Sequence, residues 1–191
     1  YIPVPDNDEP LIAVAKDKEQ NIPIIYLFHK HEAVKPEEKG NMDYMVYSYL
    51  TSMIESMLNT RLEELTQKAD APFIQAFAGD GDYLLSKTKG AFMGIAAAKE
   101  DGILTATEAL MREIERVRQF GFTASEYARA KADYLRSLEV AYNERDKQRT
   151  NSYVKEYVRH FIDNEPIPGI ENEYPLMNQI VPNIPVEAVN Q

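Results

Sequence analysis

The chain of 191 residues has no cysteine, no tryptophan and only three histidines. Without cysteine there is no disulfide, no thiolate metal site and no cysteine nucleophile, although this alone does not fix the compartment. No apolar run approaches the ~20 residues that a membrane-spanning helix needs. Basic residues are also scarce: 21 Lys and Arg against 31 Asp and Glu leave a formal net charge of -10. Such a chain repels phosphate backbones, which sets nucleic-acid binding aside. No serine stands in a Gly-x-Ser-x-Gly elbow, so nucleophilic catalysis has no foothold. The opening Tyr1-Ile-Pro-Val-Pro lacks both an initiator Met and a charged-then-apolar leader. We therefore expect a processed or excised piece of something longer.

What is present fits one soluble domain with a substantial core, 44% of the residues being hydrophobic and 27% charged. Residues 1–10, with three prolines among acidic and amide side chains, are expected to be a linker from a missing upstream domain, and 11–191 a single domain. The apolar runs Leu11–Ala15 and Ile22–His31 predict two strands. From Met42 through Tyr49, Met53, Met57, Leu58, Leu62 and Leu65 the apolar positions keep a helical rhythm, predicting a long helix over 41–67. Phe73–Ala78 and the run from Asp82 to Lys99, interrupted by Gly90, predict further strands, with Gly79-Asp80-Gly81 as their hairpin turn. Two capping boxes, Thr105-x-x-Glu108 and Thr123-x-x-Glu126, predict two helix starts, and Gly121 between them a left-handed stop. More helix is expected over Tyr153–Phe161 and Tyr174–Ile180, with a last one opening at Pro185 as N1. The sum is an α+β domain: an antiparallel or mixed sheet of about five strands with helices packed on one face.

Candidate chemistry is thin. His29 and His31, two apart on a strand, share a face and could share a metal if His160, Glu32 or another acid converged on them. Zinc needs three or four convergent ligands, so the expectation is no metal site. Gly79-x-Gly81 lacks the third glycine and the strand-to-helix setting of a dinucleotide cradle. Glu63 and Glu64 lie about 100° apart on a helix, unsuited to one substrate atom, and are expected to face solvent with Arg61 as a local partner.

Several segments together resemble the insulinase/pitrilysin group of zinc metallopeptidases, which includes mitochondrial processing peptidase. They are Asp17-Lys-Glu, Met57-Leu-Asn-x-Arg61-Leu-x-Glu-Leu65, Ala71-Pro-Phe73, Glu113-Ile-Glu-Arg116, Gly121-Phe-Thr-x-x-Glu126, Arg129-Ala-Lys131 and the closing Val186-Glu-Ala-Val-Asn190. The resemblance covers the chain from about residue 11 onward. It implies a LuxS/processing-peptidase-like α+β fold, one of several homologous domains closing as a clamshell around a peptide. In that family only one domain carries zinc, on a His-x-x-Glu-His helix. The corresponding helix here, 41–67, has no histidine. Another domain holds substrate through an arginine and a tyrosine, and the matching positions here are Thr66 and Phe73. The resemblance thus implies a non-catalytic, chamber-forming domain, most like the one that follows the catalytic domain. No catalytic or metal residue is then expected in this chain, with zinc in the missing catalytic domain, partner domains in the same chain or a partner subunit, and a peptide as the parent's substrate. The alternatives are a scaffold domain of a family member that has lost peptidase activity, and a separate metal-dependent hydrolase built on His29 and His31. A bacterial periplasmic or cell-envelope location is expected from the resemblance.

Overall fold

The computed structural model describes residues 3–191, so the first two residues of the expected linker lie outside the described residues. In chain order the elements are β1 (Ile24–Glu32), α1 (Met42–Thr66), β2 (Gln75–Asp82), β3 (Lys89–Ala97), α2 (Ile103–Phe120), α3 (Ala124–Asn143), α4 (Thr150–Asp163), α5 (Ile170–Ile180) and α6 (Val186–Val189). The α+β class holds, but the sheet has three antiparallel strands in the order β1-β3-β2 rather than about five. Two compact units form: the described residues up to Ala33 with Leu58–Phe120, and Val34–Met57 with Gly121–Gln191.

In the first unit, the registers Ala78↔Gly94 and Leu27↔Gly94 put both edge strands against a central β3. A Cβ at Gly94 would lie 3.2 Å from the Ile114 side chain and 3.3 Å from that of Leu110, so this face of the sheet packs on α2. Leu58, Leu62, Phe73, Ala78, Ala96 and Leu110 are buried beneath it. Tyr83 N–H donates to Lys89 O at 2.9 Å, which fixes the alternation of hydrogen-bonded pairs along β2 and turns the backbone of Ala78 to the outer edge. Asn59 of α1 meets both outward groups. Its Nδ2 donates to Ala78 O at 2.7 Å and its Oδ1 accepts from Ala78 N at 2.8 Å. One side chain therefore closes a buried strand edge that would otherwise leave two backbone groups unsatisfied.

The second unit is helical. Asn41 Oδ1 accepts from Tyr44 N at 2.8 Å and caps α1. The box at Thr123 and Glu126 forms as expected. Gly121 has φ +66°, and a Cβ there would fall 2.5 Å from Asn190 Cγ. Asn190 needs that space, because its Oδ1 accepts from Phe122 N at 2.8 Å and its Nδ2 donates to Phe122 O at 3.0 Å. Tyr49 and Tyr127 share a hydroxyl contact of 3.1 Å; Tyr127 Oη donates in turn to Ile184 O, so Tyr49 is the donor of the pair.

Five local expectations are corrected. Leu11–Ala15 is not a strand and its large side chains are almost fully exposed, because an apolar run without a pairing partner has nothing to satisfy its backbone. Gly79-Asp80-Gly81 lies inside β2 instead of turning, and the connection is Tyr83–Thr88, with Leu84 at φ +54°. Gly90 does not interrupt β3, since its missing side chain makes room for an imidazole described below. Thr105 sits inside α2, which begins two residues earlier after a turn closed by Gly102 N–H on Lys99 O. Pro185 is the N-cap of α6 rather than its N1.

Replacing Asn59 by Ala leaves the Ala78 N–H and C=O buried and unmet, so a loss of about 2–4 kcal/mol is expected in denaturant melts. Phe73→Ala empties a site only 1% exposed and is expected to cost about 3–5 kcal/mol. A cost under about 1 kcal/mol for Asn59→Ala would show that water replaces the clamp.

Candidate functional site

His31 is the one histidine with a defined polar setting in the first unit. Its Nε2 lies 2.8 Å from Asp80 Oδ1 and its Nδ1 2.9 Å from the Glu32 carbonyl. Both partners are pure acceptors, so the geometry calls for a proton on each ring nitrogen. Burial pushes the His31 pKa down, but the Glu32 carbonyl and the Asp80 carboxylate outweigh it and the net direction is upward. The ring lies over Gly90, where a Cβ would fall 2.4 Å from His31 Cε1. His29 is exposed on the same strand, Glu32 is engaged by Lys89 Nζ, and His160 belongs to α4, where its Nδ1 lies 2.6 Å from Glu165 O. Of the four candidate ligands, His31, Glu32 and His160 are thus engaged with different partners, and His29 is exposed. Among the described residues no group of three or more His, Asp or Glu is placed to hold a metal ion. A zinc ion of the His-x-x-Glu-His kind does not fit these residues.

The other candidates resolve into structural roles. Phe73 is core, and half-exposed Thr66 donates to Glu63 O at 2.7 Å within its own helix. Glu63 and Glu64 face solvent as expected. Arg61, by contrast, is only 8% exposed and is buried with the core. It sits one residue before Leu62, on the inner side of α1, where its long stem is buried. Glu113 of α2 is buried too, 3.6 Å from the Arg116 guanidinium.

What the sequence reading missed is a surface. On the face of the sheet turned away from α2, the registers align Ile24, Tyr26 and Phe28 of β1 with Ala97, Ile95 and Met93 of β3 and with Gln75, Phe77 and Gly79 of β2. Tyr26 is 55% exposed, and Ile24 and Phe77 are nearly as open. The rings of Tyr26 and Phe28 stack in parallel with centroids 6.2 Å apart, and Tyr83 meets Phe28 edge-on at 5.4 Å. Ala98 N–H donates to Pro23 O, a pairing that sets the outward-facing backbone of β1 at Ile24, Tyr26 and Phe28. The outer edge of β1 pairs with no strand among the described residues. An open aromatic face beside a strand edge that pairs with no strand can accept an extended peptide by strand addition. The signal was legible: β1 is apolar on both of its alternating faces, as in a strand covered on two sides.

The His31 pair carries a pH signature. Because its folded pKa is raised, its stabilising contribution is present below the ordinary histidine value of about 6.5 and is lost as pH rises through the folded value. Unfolding midpoints of the wild type are therefore expected to exceed those of His31→Gln most at about pH 5.5, with the gap closing above neutrality. A gap unchanged with pH would show that the ring is not cationic in the folded chain. Gly90→Ala, which displaces the ring, is expected to remove the same slope.

No protein-family model matches the chain. Over 150 residues it is 29% identical to "Zinc protease PQQL-like" of Arabidopsis thaliana, a match covering 76% of this chain and 13% of that protein. Its fold matches the crystal structure of the first half of the periplasmic protease PqqL from Escherichia coli with a TM-score of 0.78 and 21% identity, covering 91% of this chain and 36% of that one. It also matches a "Predicted insulinase family protease" from Yersinia pestis with a TM-score of 0.72 and 9% identity, over 87% of this chain and 35% of the other. The chain resembles insulinase/pitrilysin-like zinc proteases and spans a minor part of their length.

Proposed function

We propose that this chain is a non-catalytic domain of an insulinase/pitrilysin-type zinc metallopeptidase, the one that follows the catalytic domain. The observation that carries the reading is α1: in the place of the family's metal-binding helix stands a helix, Met42–Thr66, with no histidine. The segments that carry the family resemblance support it, since they supply fold-holding groups here rather than chemistry. Asn59 clamps β2, Phe73 and Arg61 are buried, and Thr123 with Glu126 caps α3. The zinc, and the water it activates, belong to another domain of the parent.

In this reading the open face bearing Tyr26, Phe28 and Phe77 is wall of the chamber in which an unfolded peptide lies. Its aromatic side chains contact peptide without sequence-specific polar recognition, and the free edge of β1 offers backbone pairing. The partners are the other domains of the same chain or of a partner subunit. A periplasmic or cell-envelope setting follows from the likeness to a periplasmic protease, and no helix among the described residues is long and apolar enough to cross a membrane.

The intact parent is expected to cleave an unstructured quenched peptide in a zinc-dependent, chelator-sensitive way, while the chain of 191 residues gives no turnover above buffer. Cleavage by this chain alone would overturn its non-catalytic role, and a parent without zinc-dependent cleavage would favour the scaffold reading. Tyr26→Ser and Phe77→Ser in the parent are expected to raise KM several-fold with kcat nearly unchanged, the signature of lost uniform binding. Unchanged KM in a folded double variant would remove the wall role from this face.

A further inference from the structure

Helix α4 is mounted with its apolar side outward. On a helical projection Val154, Tyr157, Val158 and Phe161 recur at i, i+3, i+4 and i+7 and form one stripe. All four are exposed, Phe161 to 90%. The side turned to the body is polar: Glu156 and Asp163 are the half-buried residues of α4. Burial and the nearby Glu156 charge hold the Glu173 carboxyl above its ordinary range, as expected if that side of α4 faces α5. Tyr153 Oη reaches Arg145 O at 3.4 Å and His160 Nδ1 lies 2.6 Å from Glu165 O, which fixes how the helix is rotated. Rotation cannot bring the stripe inward without breaking these contacts.

We propose that the α4 stripe is a docking surface for a neighbouring domain of the same polypeptide, an inference that rests on reading the chain as one part of a longer protease. Size selects this occupant. Fourteen helical residues span about 21 Å, and a stripe about 10 Å wide gives roughly 200 Å². Specific partners that diffuse freely bury about 800 Å² per side, far beyond this stripe. A covalently linked domain is held at millimolar effective concentration and needs much less contact. In the E. coli half-protease structure the matched region is 36% of the chain, so nearly two-thirds of that body lies outside it. A second copy is disfavoured by the formal charge of -10 on each chain.

The test is thiol labelling of the intact parent, followed peptide by peptide, with Val154→Cys and Val158→Cys read against Arg159→Cys on the polar flank. This chain contributes no cysteine of its own. The two stripe thiols are expected to react at least about tenfold more slowly than the flank thiol, at every protein concentration, with the difference gone in denaturant. Equal rates would overturn the proposal, as would protection that disappears on dilution, which would assign the stripe to a second copy. Protection that needs added peptide would overturn it too. Labelling requires neither zinc nor turnover: an inactive parent with a protected stripe sinks the peptidase reading alone, and an active parent with a freely labelled stripe sinks this one alone.

Discussion

Each of the two units is closed by an asparagine that grips a backbone from outside its own element. Asn59 supplies a donor and an acceptor to Ala78 at the rim of the sheet, and Asn190 does the same for Phe122 at the start of the segment leading into α3. A carboxamide is the one small side chain that can mimic a peptide group and meet both polar atoms of one residue. In the first unit this lets β2 be an edge strand and yet be buried at Ala78, a combination that otherwise leaves polar groups stranded. In the second, the grip imposes a glycine at 121, because any Cβ would occupy the place of Asn190. Much of the local sequence around each clamp is set by that geometry.

The same constraint accounts for the fold-holding contacts that the family-like segments make here. A helix that must reach the sheet with Asn59 while burying Leu58 and Leu62 has its inner positions committed. Nothing about that geometry requires metal ligands. Fold and activity are separable in this way because function resides in a few grafted side chains.

Helices were legible where rhythm and caps agreed. The long apolar periodicity located α1 to within a residue at each end, and Thr123 with Glu126 marked α3 because the box is chemically specific. Thr105 with Glu108 has the same spelling but no box, since the turn at Gly102 had already started the helix. Strands were harder. Gly79, Gly81 and Gly90 read as punctuation, but each lies inside a strand, and at Gly90 the reason is a long-range one, the His31 ring across the sheet. The burial of Arg61 was likewise invisible, because a charged residue's long stem can follow the core without altering the periodic pattern. The aromatic sheet face could have been read from the two-sided apolar character of β1, whereas its free edge depends on pairing that local sequence does not encode.

Uncovered apolar surface occurs in both units, as a sheet face in one and a helix stripe in the other. A free-standing domain with such surfaces would face self-association, since contiguous exposed apolar patches of this kind mark interaction sites. The surplus of acidic residues opposes that outcome by long-range repulsion between copies, and repulsion of this sort does not discriminate against a partner that is covalently attached. Charge and apolar pattern are therefore consistent with the proposed assembly: the first keeps separate copies apart, and the second would be covered by surfaces of the same polypeptide. The apolar cores of the two units, with their caps and asparagine clamps, hold the folds, which leaves the exposed apolar surfaces available for assembly.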